Sequence, residues 1–314
     1  MRTRLVVGLT LAAGIIAALL VDGYLSGPGV GGRAISVSPP SDWVRHGAIS
    51  TLVVLLLTLA TTHELVVLAR ARGYKPFGKL ALLFTAILVL GPYLSFHLAR
   101  GDSSHGDSWG LLVMACAVAI TFVVQVVRHR TESAMENLAT TLFIIFYAGC
   151  LASFMTRLRM EIGGTTGVLV LLFSMFIVKM TDTGAYFVGK ALGRHKMIEW
   201  LSPKKTWEGF AGGMATAVAV SVGLGLWLHE AEVTRLAPHA LHPVASFALL
   251  GLLLGVFSVA GDLCASLLKR DARVKDSGHA FPGLGGVLDV FDSPLLAAPV
   301  AWLFWTRLFP LDGA

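Results

Sequence analysis

Phe247-Ala-Leu-Leu-Gly-Leu-Leu-Leu-Gly-Val-Phe-Ser-Val-Ala-Gly-Asp262-Leu-Cys-Ala-Ser-Leu-Leu268 decides how this chain folds. As a helix it extends about 33 Å at about 1.5 Å per residue, enough to cross a hydrocarbon layer of roughly 30 Å. It contains one ionisable acid, Asp262, at the end that runs into Lys269 and Arg270. Similar runs recur at Leu5–Val21, Ala48–Leu68, Leu80–Leu98, Trp109–Val127, Leu138–Met155, Val168–Phe187, Met214–Leu228 and Leu288–Leu308. The chain of 314 residues is 55% hydrophobic and only 14% charged, with a mean hydropathy of +0.74. That is too little polar surface to clothe a soluble globule of this size. The expectation is an all-α, polytopic membrane bundle of about nine transmembrane helices, because helices satisfy their own backbone in lipid.

The net charge of +6 raises the question of nucleic acid, but the cations are distributed otherwise. With the N-terminus inside, seventeen Lys and Arg fall in inner segments and seven in outer ones (Arg33, Arg45, Arg100, Arg157, Arg159, Arg235 and Arg307), leaving Lys179 within a span. This is the positive-inside pattern, so an N-in, C-out chain embedded in a cell's inner membrane, with its motif-rich loops facing the cytoplasm, is expected, with no nucleic-acid partner. Arg2 and Arg4 ahead of the first span resemble a signal peptide, but no small-residue cleavage pattern follows, so that span is expected to stay attached. Cys116, Cys150 and Cys264 lie in apolar runs without paired or metal-ligand spacing and read as small hydrophobes. The Gly/Pro/Ser-rich stretch Ser26–Ser41 and the segment His229–Pro243 read as outer loops.

Polarity within the spans is lopsided. The first five hold little beyond His63-Glu64 and Gln125, and the His63-Glu64 pair reads as an interface anchor or packing partner. The last four hold Lys179, Asp182, Asp262, Asp289 and Asp292, so the working site belongs to residues 137–314 rather than 1–136. Acids at such depth cost several kcal/mol each unless compensated, which makes function their default reading.

Two inner loops carry the chemistry. Gly184–Lys190 spells the first part of a phosphate-binding P-loop, but Ala191 stands where Ser or Thr is needed and the intervening residues are bulky apolar helix, so the P-loop is rejected. Ser202-Pro203 reads as a helix start, with Ser202 as N-cap, Pro203 at the first helical position, and Lys204, Lys205 and Thr206 in the first turn. Backbone donors and two ammonium groups then converge on a phosphate. Further on, Asp262, Ser266 and Lys269 are spaced i, i+4, i+7 on one helix face with Arg270 adjacent, and Asp289 and Asp292 are three apart. The Gly/Pro-rich segment between them reads as a hairpin that folds two helix ends together. Three acids meeting there call for a divalent cation. Mg²⁺ fits best, since it takes one or two carboxylates and fills its shell with phosphate and water; whether a monovalent cation joins it is open. The alternative is a set of interhelical ion pairs with Lys269, Arg270, Arg273 and Lys275.

These residues resemble the phosphatidate cytidylyltransferases, or CDP-diacylglycerol synthases. Their signature reads roughly S-x-x-K-R-x-x-x-x-K-D-x-x-x-x-x-P-G-H-G-G-x-x-D-R-x-D-S. Ser266, Lys269, Arg270, Lys275, Asp276, Pro282, Gly283, Gly285, Gly286, Asp289, Asp292 and Ser293 fall on it in register. Asp182–Tyr186 through Ser202–Gly209 is similar to a second block, and Asn137–Thr141 with Tyr147 and Leu158-Arg159 to a more diffuse one. Two departures stand out: Leu284 replaces the motif histidine and Val290 its arginine, and His279 is a candidate stand-in for the former.

The resemblance implies that the phosphate of phosphatidic acid attacks the α-phosphorus of CTP, giving CDP-diacylglycerol and pyrophosphate. It implies Asp262, Asp289 and Asp292 as Mg²⁺ ligands and, with Lys269, as the catalytic set. Ser202, Lys204, Lys205, Ser266, Arg270, Lys275, Asp276 and Asp182 are then substrate-binding, and a homodimer is compatible. Two alternatives remain at this point. A CTP-dependent lipid-alcohol kinase would place attack on the γ-phosphorus, and a secondary transporter would use Lys179, Asp182 and Asp262 for ion coupling.

Overall fold

The structure is a computed structural model that describes residues 2–27, 46–98, 106–231, 233, 234, 242–278, 280, 281 and 285–311. His279, Pro282, Gly283, Leu284, Arg33, Arg45, Arg100, Arg235 and most of the first outer loop lie outside the described residues. Among those described, the chain forms helices α1 (Arg2–Ser26), α2 (Ala48–Ala71), α3 (Gly78–Leu98), α4 (Gly106–Arg128), α5 (Ala134–Ile162), α6 (Gly164–Leu192), α7 (Trp207–Glu230), α8 (Pro243–Asp271) and α9 (Leu288–Leu308). A short antiparallel hairpin, β1 (Lys196–Ile198) and β2 (Ser202–Thr206), joins α6 to α7. Each expected span falls within one helix. Eight of the helices have apolar windows long enough to cross a membrane, and α1 adds a shorter apolar stretch over Thr10–Ser26. The protein is a polytopic helical membrane protein.

Polar residues inside these helices satisfy themselves locally. On α2, Thr58, Thr61 and Thr62 donate to the carbonyls of Val54, Leu57 and Thr58, four residues back, at 2.6, 2.9 and 2.8 Å. A hydroxyl bonded this way leaves no unpaired donor in a water-free layer. The core gathers around aromatic side chains. Phe173 of α6, Phe247 of α8 and Trp305 of α9 contact one another edge-on or tilted, and Trp305 Nε1 donates to Ser174 Oγ at 3.1 Å.

Glycines set the closest helix approaches. Gly209, Gly212 and Gly213 of α7 meet Ala185, Val188 and Thr181 of α6, and a Cβ on Gly209 would lie 2.9 Å from the Ala185 carbonyl oxygen. Such small residues let backbones touch where lipid offers no hydrophobic drive to helix association. At Gly261 of α8 a Cβ would lie 2.7 Å from the Asp292 carbonyl oxygen and 2.8 Å from Ser293 Cα of α9. Gly261 therefore fixes how near Asp262 comes to Asp292. Gly261→Leu is expected to lower stability by about 1–3 kcal/mol through overpacking, seen as a fall of several degrees in the unfolding midpoint of the purified protein.

Two helices are locally widened into π turns, at Ile145–Cys150 in α5 and Phe304–Leu308 in α9. The first carries Tyr147.

Candidate active site

Three spans and one strand supply the acid cluster. From α6, Lys179 and Asp182 stand one helical turn apart, with Nζ 3.9 Å from the carboxylate. Lys179 also crosses to α9 and donates to the Val290 carbonyl at 2.8 Å. Ser258 of α8 donates to Asp182 Oδ1 at 3.0 Å, tying α6 to α8 one turn before Asp262. Lys205 of β2 pairs with Asp262 at 2.9 Å, and Ser266 sits 3.5 Å from the other oxygen of Asp262. Asp292 of α9 forms the floor, 4% exposed, and accepts a hydrogen bond from the Ser293 amide at 2.6 Å. Asp182 and Asp262 both act electrostatically on Asp292, so three carboxylates share one neighbourhood. Above that floor the cluster is open: the side chains of Lys179, Asp182 and Asp262 are 45%, 40% and 41% exposed.

Asp289 has a different setting. One oxygen takes the Lys269 ammonium. The other accepts from the Ser277 and Gly286 amides, each at 2.9 Å, and lies 2.9 Å from the Ser277 hydroxyl oxygen. The expected hairpin is therefore present, and the Lys269–Asp289 pair closes it. Arg270 donates to the Val274 carbonyl at 3.2 Å, whereas Lys275 and Asp276 lie exposed on the connecting segment. The structure thus brings Asp262 and Asp292 together with Asp182, while Asp289 is held by Lys269 and the hairpin backbone.

The helix start expected at Ser202-Pro203 is corrected. Ser202–Thr206 is a strand, paired Ile198↔Ser202 and Lys196↔Thr206. Pro203 is tolerated because a two-stranded ribbon leaves edge positions that need no N–H donor. Thr206, with extended backbone (φ −127°, ψ 156°), caps α7 instead, its Oγ1 accepting from the Gly209 amide at 3.1 Å. Glu208 then fastens the hairpin base through the Arg194 and His195 amides at 3.1 and 3.2 Å and His195 Nδ1 at 2.6 Å. The change has a chemical consequence. Neighbours on a strand point to opposite faces, so Lys205 reaches Asp262 while Lys204 is exposed.

Three participants were not among the predicted site residues, although Tyr147 and Ser293 fall on the resembled motifs. Ser258 lies four residues before Asp262, a spacing that marks one helix face and could have found it. Tyr147 and Ser293 carry buried hydroxyls without a hydrogen-bond partner among the described residues. Tyr147, 5% exposed, lies within electrostatic reach of Asp292, Cys264 and Asp262. Its placement comes from the π turn in α5, and such turns recur at functional sites.

Val290 replaces the arginine of the resembled motif, and the Lys179 ammonium donates to the backbone carbonyl of this residue at 2.8 Å. Among the described residues no three His, Cys, Asp or Glu side chains sit close enough to enclose an ion unaided. The donor set nevertheless suits a hard cation that completes its shell with phosphate and water: carboxylate oxygens at Asp262 and Asp292, with the unpartnered Tyr147 hydroxyl within electrostatic reach of both.

The chain also matches known proteins in sequence. The model of the cytidylyltransferase family matches residues 43–308. A phosphatidate cytidylyltransferase of Synechocystis sp. is 31% identical, covering 86% of this chain and 90% of the relative. One from Bacillus subtilis is 32% identical over 82% of this chain and 89% of its own length. A chloroplastic phosphatidate cytidylyltransferase of Arabidopsis thaliana is 30% identical over 87% and 70%. With a match over most of its length, reaching from α2 through α9 and spanning every element of the acid cluster, the chain belongs to the cytidylyltransferase family.

Proposed function

We propose that the protein transfers the cytidylyl group of CTP to phosphatidic acid, giving CDP-diacylglycerol and pyrophosphate, at the cytoplasmic face of a cell's inner membrane. The observation that carries this reading is the convergence of Lys179, Lys205, Asp182, Asp262 and Asp292 near the ends of α8 and α9, with the basic segments Lys190–Lys205 and Lys269–Lys275 beside it. The excess of Lys and Arg in those segments supports an N-in, C-out chain.

In this reaction a phosphate oxygen of the lipid forms a new bond to the α-phosphorus while the bond from that phosphorus to the bridging β-oxygen breaks, and pyrophosphate leaves. A phosphate monoester is already ionised near neutral pH, so no strong base is required. Most of the rate then comes from alignment and charge neutralisation. Lys179 and Lys205, each resting on a partly exposed partner, exchange those weak contacts for phosphate oxygens at little cost. Lys204 and Arg270 extend the basic surface toward the nucleotide, with Ser202, Ser266, Lys275 and Asp276 along its rim.

A divalent cation, Mg²⁺ by its preference for carboxylate and phosphate oxygens, supplies charge neutralisation of the triphosphate when bound. Asp262 and Asp292 would hold it with Asp182 near. Asp289 joins them only by releasing Lys269. Asp292, buried and already fixed by the Ser293 amide, keeps its oxygens oriented without substrate.

The products decide the reading. Purified protein given CTP labelled at the α-phosphate, phosphatidic acid and Mg²⁺ is expected to yield labelled CDP-lipid and unlabelled pyrophosphate. Release of CDP with a newly phosphorylated lipid would replace this reading with kinase chemistry.

A further inference from the structure

Glu64 lies on α2, far in sequence from the acid cluster, yet its carboxylate is 8% exposed and fully engaged with the catalytic hairpin. Oε1 accepts from the Val287 amide at 2.7 Å, and Oε2 accepts from the Leu288 amide at 2.9 Å and the Ser277 hydroxyl at 2.7 Å. Val287 and Leu288 open α9, where backbone amides have no partner within the helix and the helix dipole favours an anion. The same Ser277 hydroxyl, with one proton to give, lies between Glu64 Oε2 at 2.7 Å and Asp289 Oδ2 at 2.9 Å, and its shorter contact is to Glu64.

Two glycines make room for this carboxylate. A Cβ on Gly278 would lie 2.7 Å from Glu64 Oε1, and one on Gly286 would collide with Glu64 Oε2 and the Ser277 hydroxyl. Any side chain at either position breaks the clasp. The small residues of the connecting segment are thus required by a residue more than two hundred positions away.

We propose that Glu64 is a positioning residue for cytidylyl transfer: it clamps Ser277 and the first amides of α9, and so sets the height and rotation at which that helix presents Asp289 and Asp292. The inference rests on the functional reading above. Asp292 is one turn beyond Asp289 on α9, and a slip of that helix start moves both carboxylates relative to Asp262. A misplacement of about 1 Å is enough to cost on the order of 10²-fold in rate. Buried charge-assisted bonds are the kind that hold such a position.

The test compares the full-length wild type with Glu64→Gln, which keeps the volume but loses the charge and one acceptor. Two measurements are made on the purified protein in detergent: turnover with phosphatidic acid at saturating CTP, and, with neither substrate present, amide hydrogen exchange over residues 277–289. Glu64→Gln is expected to lower kcat at least tenfold with a smaller change in KM, and to speed exchange of that segment while the other helices keep wild-type protection. Turnover within twofold of wild type, or unchanged exchange at 277–289, would overturn the proposal. Should Glu64→Gln unfold globally, Ser277→Ala decides. It leaves both Glu64–amide bonds in place, so slower turnover with a wild-type unfolding midpoint supports the clasp, and wild-type turnover refutes it. Exchange is read without substrate. A wild-type protein that makes no CDP-lipid therefore defeats the functional reading while the hold of Glu64 on the hairpin is still measured.

Discussion

Asp292→Asn is expected to reduce CDP-diacylglycerol formation on the order of 10³-fold while leaving the unfolding midpoint within a few degrees of wild type. The magnitude is that of removing one preorganised electrostatic contact from a transferring phosphoryl group. Asparagine matches aspartate in shape and can still accept the Ser293 amide, so the fold should tolerate it. What is lost is the buried carboxylate of the cluster, within electrostatic reach of Asp262 and Asp182. Mg²⁺ titration of the rate adds a second readout. If Asp292 is an ion ligand, the residual activity of the variant requires a higher metal concentration. Activity within tenfold of wild type, with an unchanged Mg²⁺ requirement, would remove Asp292 from the site.

Much of the architecture was legible from the chain because it depends on composition averaged over long windows. Each span needs about twenty apolar residues and little else, and every expected run lies inside a helix. The hairpin between α8 and α9 was legible for a different reason, the Gly and Pro content of the connector, whereas the Lys269–Asp289 pair that closes it belonged only to the ion-pair alternative. Local signals failed where a distant partner outweighed them. Ser202-Pro203 satisfies every short-range rule for a helix start, but the ladder with Lys196–Ile198 commits it to a strand and passes the capping role to Thr206. The division of labour among the carboxylates was also hidden. Asp289 and Asp292 are three residues apart and chemically identical, and only the fold shows that one bonds Lys269 and the hairpin while the other lies near Asp262 and Asp182. Glu64 stood out as an acid inside a span and read as an anchor or packing partner, but its partners, two backbone amides and the Ser277 hydroxyl, leave no pattern in the sequence.

The second large effect concerns stability and lies at the opposite end of the bundle. Asp22 of α1 and Arg159 of α5 form an ion pair at 2.9 Å, with side chains 0% and 3% exposed. Asp22 also accepts from the Ile49 amide at 3.1 Å and the Ser50 hydroxyl at 2.9 Å, and Arg159 donates to Ser26 Oγ at 2.7 Å, so α1, α2 and α5 meet there. Asp22→Ala leaves a guanidinium buried without a counter-charge and is expected to cost about 3–5 kcal/mol. That corresponds to a fall of roughly 10 °C in the unfolding midpoint. A double variant, Asp22→Leu with Arg159→Met, removes both charges and is expected to recover most of the loss, because the penalty belongs to the orphaned charge rather than to the missing attraction. The pair stands near the Gly164 end of α6, and Asp182 is about 27 Å further along that helix at about 1.5 Å per residue. Turnover per folded molecule should therefore stay near wild type in the double variant at temperatures below its transition. If the two substitutions destabilise additively, the ion pair is not the unit that joins these helices.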